Sequence, residues 1–178
     1  IAGTGTYGGY FTGRISNVFI VQRALYNGNF TPWKNPRTAD TMGADAATGL
    51  PVLIACQAYS IYDTSYKYHT LTTAGSVVVD SDGPFYQDDE NSYYFDGNGD
   101  YLSIADNAAL ELGSGDFTME CWINPTGYAT IDNDSTYQAG ILFKDLGYFL
   151  NIGGTSSSFT YINLLYYNGS TWVGTAYA

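Results

Sequence analysis

The stretch DFTMECWINP, residues 116–125, decides the fold. Phe117, Met119, Cys121 and Ile123 recur at every second position, and Thr118, Glu120 and Trp122 fill the places between. A period of two predicts a β-strand with one face in a core. Pro125 closes it, because proline offers no N–H to a ladder. The spacing therefore predicts that Phe117, Met119, Cys121 and Ile123 are buried between two sheets. A slip of one residue would bury Thr118, Glu120 and Trp122 instead.

The same character continues on both sides. Upstream, GRISNVFIVQRALY (13–26) opens with a run, Ile15 to Val21, that is apolar on both faces near Val18 to Val21, as in a central strand. Residues 26–49 carry two prolines and no period, and read as a connector. LPVLIACQAYSIYD returns to strand character, and HTLTTAGSVVVD shows two β-branched runs broken by Gly75. SDGPFYQDDEN (81–91) is an acidic loop. Downstream, AGILFKDLGYFLNIGG (139–154) predicts a hairpin turning at Asp145 to Gly147. FTYINLLYYNGSTWVGTAY predicts a second, with Asn168-Gly169 at its turn. DNAALELG (106–113) has room for one helical or 3₁₀ turn, and no segment has a convincing helical period. Short strands at this spacing predict an all-β chain, an antiparallel β-sandwich or barrel.

Composition agrees. Aromatic residues make up 17 % of the 178, and 18 tyrosines with 21 glycines suit short strands and tight turns. A net charge of −11 argues against a nucleic-acid partner, which needs a basic face. No transmembrane run or signal peptide is present, and the first residue is Ile, so the chain reads as a piece of a longer protein. Cys56 and Cys121 sit in apolar runs and read as buried free thiols rather than a disulfide framework.

Few residues suggest chemistry. In SYYFDGNGDYLSI (92–104), Asp96, Asn98 and Asp100 alternate with Gly97 and Gly99. The spacing starts like a Ca²⁺ loop, but an EF-hand needs Gly at the sixth position and Glu at the twelfth, where Tyr101 and Asn107 stand. The residues favour a turn in which the glycines supply positive φ and the side chains bond the backbone. A cation held by Asp96, Asn98 and Asp100 is the alternative. His69 is the single histidine. A triad would need Asp63 and a serine arranged around it, and no nucleophile motif supports one, so His69 reads as a strand or turn residue. One histidine and two strand cysteines make no zinc site. Trp33, Trp122 and Trp172, with the tyrosine pairs 93/94 and 166/167, could stack on sugar rings, against the alternative that they pack the sandwich or meet a neighbour. Asn-x-Ser/Thr triplets begin at Asn29, Asn133 and Asn168, and matter only in a secretory-pathway protein.

YYFDGNGDYLSIADNAALELGSGDFTMECWINP resembles the N-terminal half of a laminin-G-like (concanavalin A-like lectin/glucanase) jelly roll, in its Phe-Asp-Gly, Asp-Tyr-Leu, Gly-Asp-Phe-Thr and Trp-Pro-ended strand. YFTGRISNVFIVQRALY resembles the closing strand of the same domain type, and LIACQAYSIYDTSYKYHTLTTAGSVVV its entry strands. The order is inverted. The resemblance implies the tail of one repeat at 1–31, a linker at 32–49, and the first two thirds of another repeat at 50–178. Two arrangements of the N-terminal segment are open: it completes the sandwich begun at residue 50, or it belongs to a preceding unit whose other strands lie elsewhere. The second is favoured. Tandem repeats of this Tyr-, Gly- and Asn-rich style are similar to those of bacteriophage virion and tail proteins and of bacterial adhesins.

The resemblance implies a non-catalytic structural or adhesion repeat, in a virion or at a cell surface. Its partners would be other copies or repeats of the same protein, and its cofactors none, with Ca²⁺ at the sandwich rim as the exception some relatives provide. A carbohydrate-binding module is the alternative, and a glycoside hydrolase a more distant one. β-Glucan hydrolases of this fold carry a Glu-x-Asp-x-x-Glu strand, and Glu90, Glu111 and Glu120 stand in no such pattern.

Overall fold

The computed structural model describes residues 9–36, 38, 49–85, 91–127 and 137–177. Asp88, Asp89, Glu90 and Asn133 lie outside these described residues. The protein is all-β. In chain order the strands are β1 (Thr12–Val21), β2 (Leu53–Ala55), β3 (Thr72–Ala74), β4 (Val78–Asp80), β5 (Ser92–Asp96) and β6 (Tyr101–Ser103). Then follow β7 (Thr118–Pro125), β8 (Tyr137–Lys144), β9 (Tyr148–Thr155), β10 (Ser158–Tyr167) and β11 (Trp172–Tyr177). The one helical element among the described residues is the 3₁₀ turn Ala108–Leu110, within the short segment expected for it.

Two larger antiparallel sheets share a core. β8, β9, β10 and β11 form a meander through the two predicted hairpins. The first turns through Leu146 (φ 51°). The second is held by the Asn168 side chain, whose Oδ1 accepts the N–H groups of Ser170 and Thr171, both at 3.0 Å. The other sheet is organised by β1. Its residues 12–15 pair with β5 and 18–20 with β2 along one edge, and β7 runs along the other. Ile15, Val18 and Ile20 meet Tyr93, Phe95, Ile141, Leu142 and Ile152 in one apolar cluster, which gives a sandwich-like arrangement. Each such side chain, fully buried, contributes about 1.5–3 kcal/mol.

A kink makes that convergence possible. Ile15 and Val18 are an odd number of residues apart and should face opposite ways. Asn17 adopts φ 51°, and the register with β7 slips between Ser16 and Phe19. This bulge rotates the strand, so that both residues reach the same core. It is pinned on all sides: Asn17 N–H donates to Cys56 O (3.2 Å), Asn17 Nδ2 to Ser16 Oγ (2.7 Å), and Ser16 Oγ to Asn91 O (2.8 Å). Beyond the bulge, Phe19 and Val21 face away and pack with Ile54. The strand is thus apolar on both faces, as its sequence predicts.

Three expectations are corrected. β1 pairs with strands beyond residue 90 of its own chain, so the N-terminal segment is built into this sheet, against the arrangement the sequence favoured. Phe117, Met119, Cys121 and Ile123 are half-buried, not buried, because β7 has β1 on one edge and no described strand on the other. In LPVLIACQAYSIYD only Leu53–Ala55 is strand, and Cys56 lies just past its end with φ 62°. Cys56 and Cys121 are free thiols, the first buried and the second half-buried.

Candidate functional site

The loop after β5 closes a bend in a long ribbon. β4 pairs with β5 and β3 with β6, but the two halves belong to different sheets. The chain must therefore turn sharply at Gly75 and at residues 97–100. Asp100, wholly buried, holds the bend. Its Oδ1 accepts Ser76 N–H at 2.5 Å and its Oδ2 accepts Asp96 N–H at 2.8 Å. Gly75 has φ 73°, and a Cβ there would stand 2.1 Å from Asp100 Oδ1. Asp96 Oδ1 accepts Asn98 N–H at 2.7 Å, an Asx turn, and Gly97 and Gly99 take positive φ. Asp96, Asn98 and Asp100 are thus brought together, with both carboxylates turned to backbone donors. Among the described residues no cluster of three His, Cys, Asp or Glu side chains is placed to hold a metal ion.

Asp63, Ser65 and His69 also converge, in a buried knot beside β2. Asp63 Oδ1 accepts the N–H groups of Ile54 (3.0 Å) and Ser65 (2.8 Å). Asp63 Oδ2 accepts Ser65 Oγ–H and His69 N–H, both at 2.8 Å. The imidazole points elsewhere, its Nε2 at 3.0 Å from Val52 O. A triad needs the ring between carboxylate and hydroxyl. Here the hydroxyl meets the carboxylate directly and the ring meets a carbonyl, so the residues of a triad are present in the geometry of a turn.

The described glutamates are also separated. Glu111 and Asp106 both pair with Lys144, at 2.9 and 2.7 Å. Desolvation works against the Lys144 charge, but these two carboxylates prevail and hold its pKa above the usual range. Glu120 accepts a short hydrogen bond from Tyr26 Oη.

The three tryptophans part company. Trp172 packs near Phe143 and Tyr167 on the four-stranded sheet, with centroids 6.4 and 5.7 Å away. Trp33 and Trp122, 39 % and 40 % exposed, line one cleft of about 380 Å³ along β7. Phe85 meets the Trp122 ring edge-on at 5.4 Å. Met119, Cys121, Ile123, Leu150 and Ile162 supply the cleft's aliphatic and sulfur walls, and Glu120 is its one carboxylate among the described residues. Desolvation there, with the nearby Glu120 charge, pushes the Cys121 thiol up to about 12.

Sequence reasoning missed the floor of this region. In β10, Ile162 is 51 % and Tyr166 47 % exposed, with Leu164 between them half-buried. Ile162 shares the cleft with the core-facing residues Leu150 and Ile152, so the open surface continues the apolar core between the sheets. The signal was the period of two through Ile162, Leu164 and Tyr166, which reads equally well as a covered face.

No known protein family, no curated protein and no solved structure matches the chain. No helix among the described residues is long and apolar enough to cross a membrane.

Proposed function

We propose that the chain is a non-catalytic structural or adhesion repeat, of laminin-G-like jelly-roll build, in a larger virion or cell-surface protein, and that it works by contact with neighbouring copies or a host surface. The observation that carries this reading is the apolar cleft along β7, where Ile162 stands half-exposed beside Met119, Ile123 and Leu150. Exposed apolar patches continuous with a core mark contact surfaces, and a strand edge such as that of β7, unpaired among the described residues, invites pairing. The polar sets that could suggest catalysis are used within the fold, in the Asp63 knot and the Asp100 bend.

Sedimentation velocity over a concentration series tests the proposal. Reversible self-association that Ile162→Glu abolishes is the expected result. A chain that stays monomeric throughout and gains no partner from its own neighbouring repeats would remove the basis for it. The second reading, a carbohydrate-binding module, draws on Trp33 and Trp122 in one cleft. It requires glycan-array binding that Trp33→Ala and Trp122→Ala both remove. The aliphatic cleft walls favour an apolar protein surface over a sugar, whose hydroxyls need more polar partners than this cleft supplies.

A further inference from the structure

We infer that β1 is an exchangeable strand, and that copies of this chain assemble by seating β1 of one copy in the sheet of another. The inference rests on topology and does not depend on the apolar face beside β7.

β1 is the hub of its sheet. β2, β5 and β7 each pair with it, and among the described residues no two of those three pair with one another. Without β1 the sheet falls into β2, the β4–β5 pair and β7. The slot it fills is deep: Ile15, Val18, Phe19, Ile20 and Val21 are wholly buried. Flanking residues are tied to distant parts of the chain as well. Gly9 N–H donates to Gln138 O at 2.8 Å and Gly140 N–H to Gly9 O at 3.2 Å, against β8. Gln22 Nε2 donates to Glu111 O at 2.6 Å, and Leu25 N–H to Thr118 Oγ at 3.1 Å. Residues 9–26 thus behave as one arm whose named partners lie beyond residue 50.

On its C-terminal side the arm is tied to the rest of the chain by the connector to Gly49. Its described residues form no strand, and 27–35 are all exposed. Twenty-odd residues reach at most roughly 75 Å when extended, enough to pass to a neighbouring copy. Exchange then preserves the arm's native contacts, changing only which chain supplies it, and this makes swapping a low-cost route to assembly. Main-chain pairing gives the seated arm affinity, and its alternate side chains in the slot give it specificity.

The test uses the full chain in an Ile162→Glu background, which removes association through the face beside β7. The chain is unfolded in denaturant and refolded over a range of protein concentrations. The expected result is a species of at least doubled mass whose fraction grows with refolding concentration and which persists on dilution. Monomer at every concentration overturns the proposal. Two single variants sharpen the readout. Arg14 and Asn124 are register partners across β1 and β7. Arg14→Cys and Asn124→Cys chains, refolded together in reductant and then oxidised, should yield a disulfide-linked heterodimer joined between positions 14 and 124 by mass spectrometry. Folded variants that give no such linkage overturn the proposal, and if either variant fails to fold, the concentration series alone decides.

Discussion

The carboxylate of Asp63 accepts the main-chain N–H of His69 at 2.8 Å, while the His69 ring turns away to Val52 O. Asp63 is 1 % exposed and takes three backbone N–H groups and one hydroxyl, closing residues 63–69 into a knot that stands in for a longer strand. Asp63→Ala leaves those donors buried without a partner, at about 1–3 kcal/mol for each group left unsatisfied. The expected loss is at least about 3 kcal/mol in urea unfolding, and Ser65→Ala should cost less. An Asp63→Ala midpoint equal to that of the unaltered chain would show the knot to be incidental.

At the bend after β5, a chelator should leave the melting temperature unchanged, because the carboxylates of Asp96 and Asp100 are engaged by N–H donors. Gly75→Ala should destabilise strongly, since its Cβ has no room beside Asp100 and φ is positive. A chelator-induced fall in melting temperature that Asp96→Asn with Asp100→Asn removes would reinstate a bound cation.

Asp80 offers a pH signature. The Asp82 N–H at 3.0 Å, and after it the Arg14 guanidinium at 2.8 Å, hold its carboxyl below the usual range. With the folded value lowered, the stabilisation is full above the unfolded value of roughly 3.9 and is lost as pH falls through the folded one. Both partners are about a quarter exposed, so the effect is under about 1 kcal/mol. Asp80→Asn should therefore lower the urea midpoint slightly at pH 7 and hardly at all near pH 2. A difference that grows on acidification would refute the assignment.

Burial separates two substitutions at the register partners Ile20 and Met119. Ile20→Asp places an unpaired charge in a fully buried site and should abolish folding. Met119→Asp falls on the half-buried wall of the cleft and should leave a folded protein with a lowered melting temperature. Circular dichroism of both variants checks this, and equal loss of structure would mean that the cleft is closed in solution.

Sequence alone determined the strands and turns that local rules govern. The hairpin loops at Asp145–Gly147 and Asn168–Gly169, the 3₁₀ turn at Ala108–Leu110 and the doubly apolar β1 were legible because φ preference, side-chain capping and apolar period are properties of neighbouring residues. The tertiary structure decided what long-range pairing controls. A period of two in β7 shows which side chains share a face, but not whether a strand lies on the outer edge, so Met119 and Cys121 came out half-buried. Asp63 and His69 could be named together from the sequence, but the serine, Ser65, and the orientation that separates a turn from a triad came from the structure. β1 lies at the centre of the sheet because its two edges pair with β2, β5 and β7 and its two faces pack into separate apolar clusters, and those partners begin more than thirty residues further along the chain.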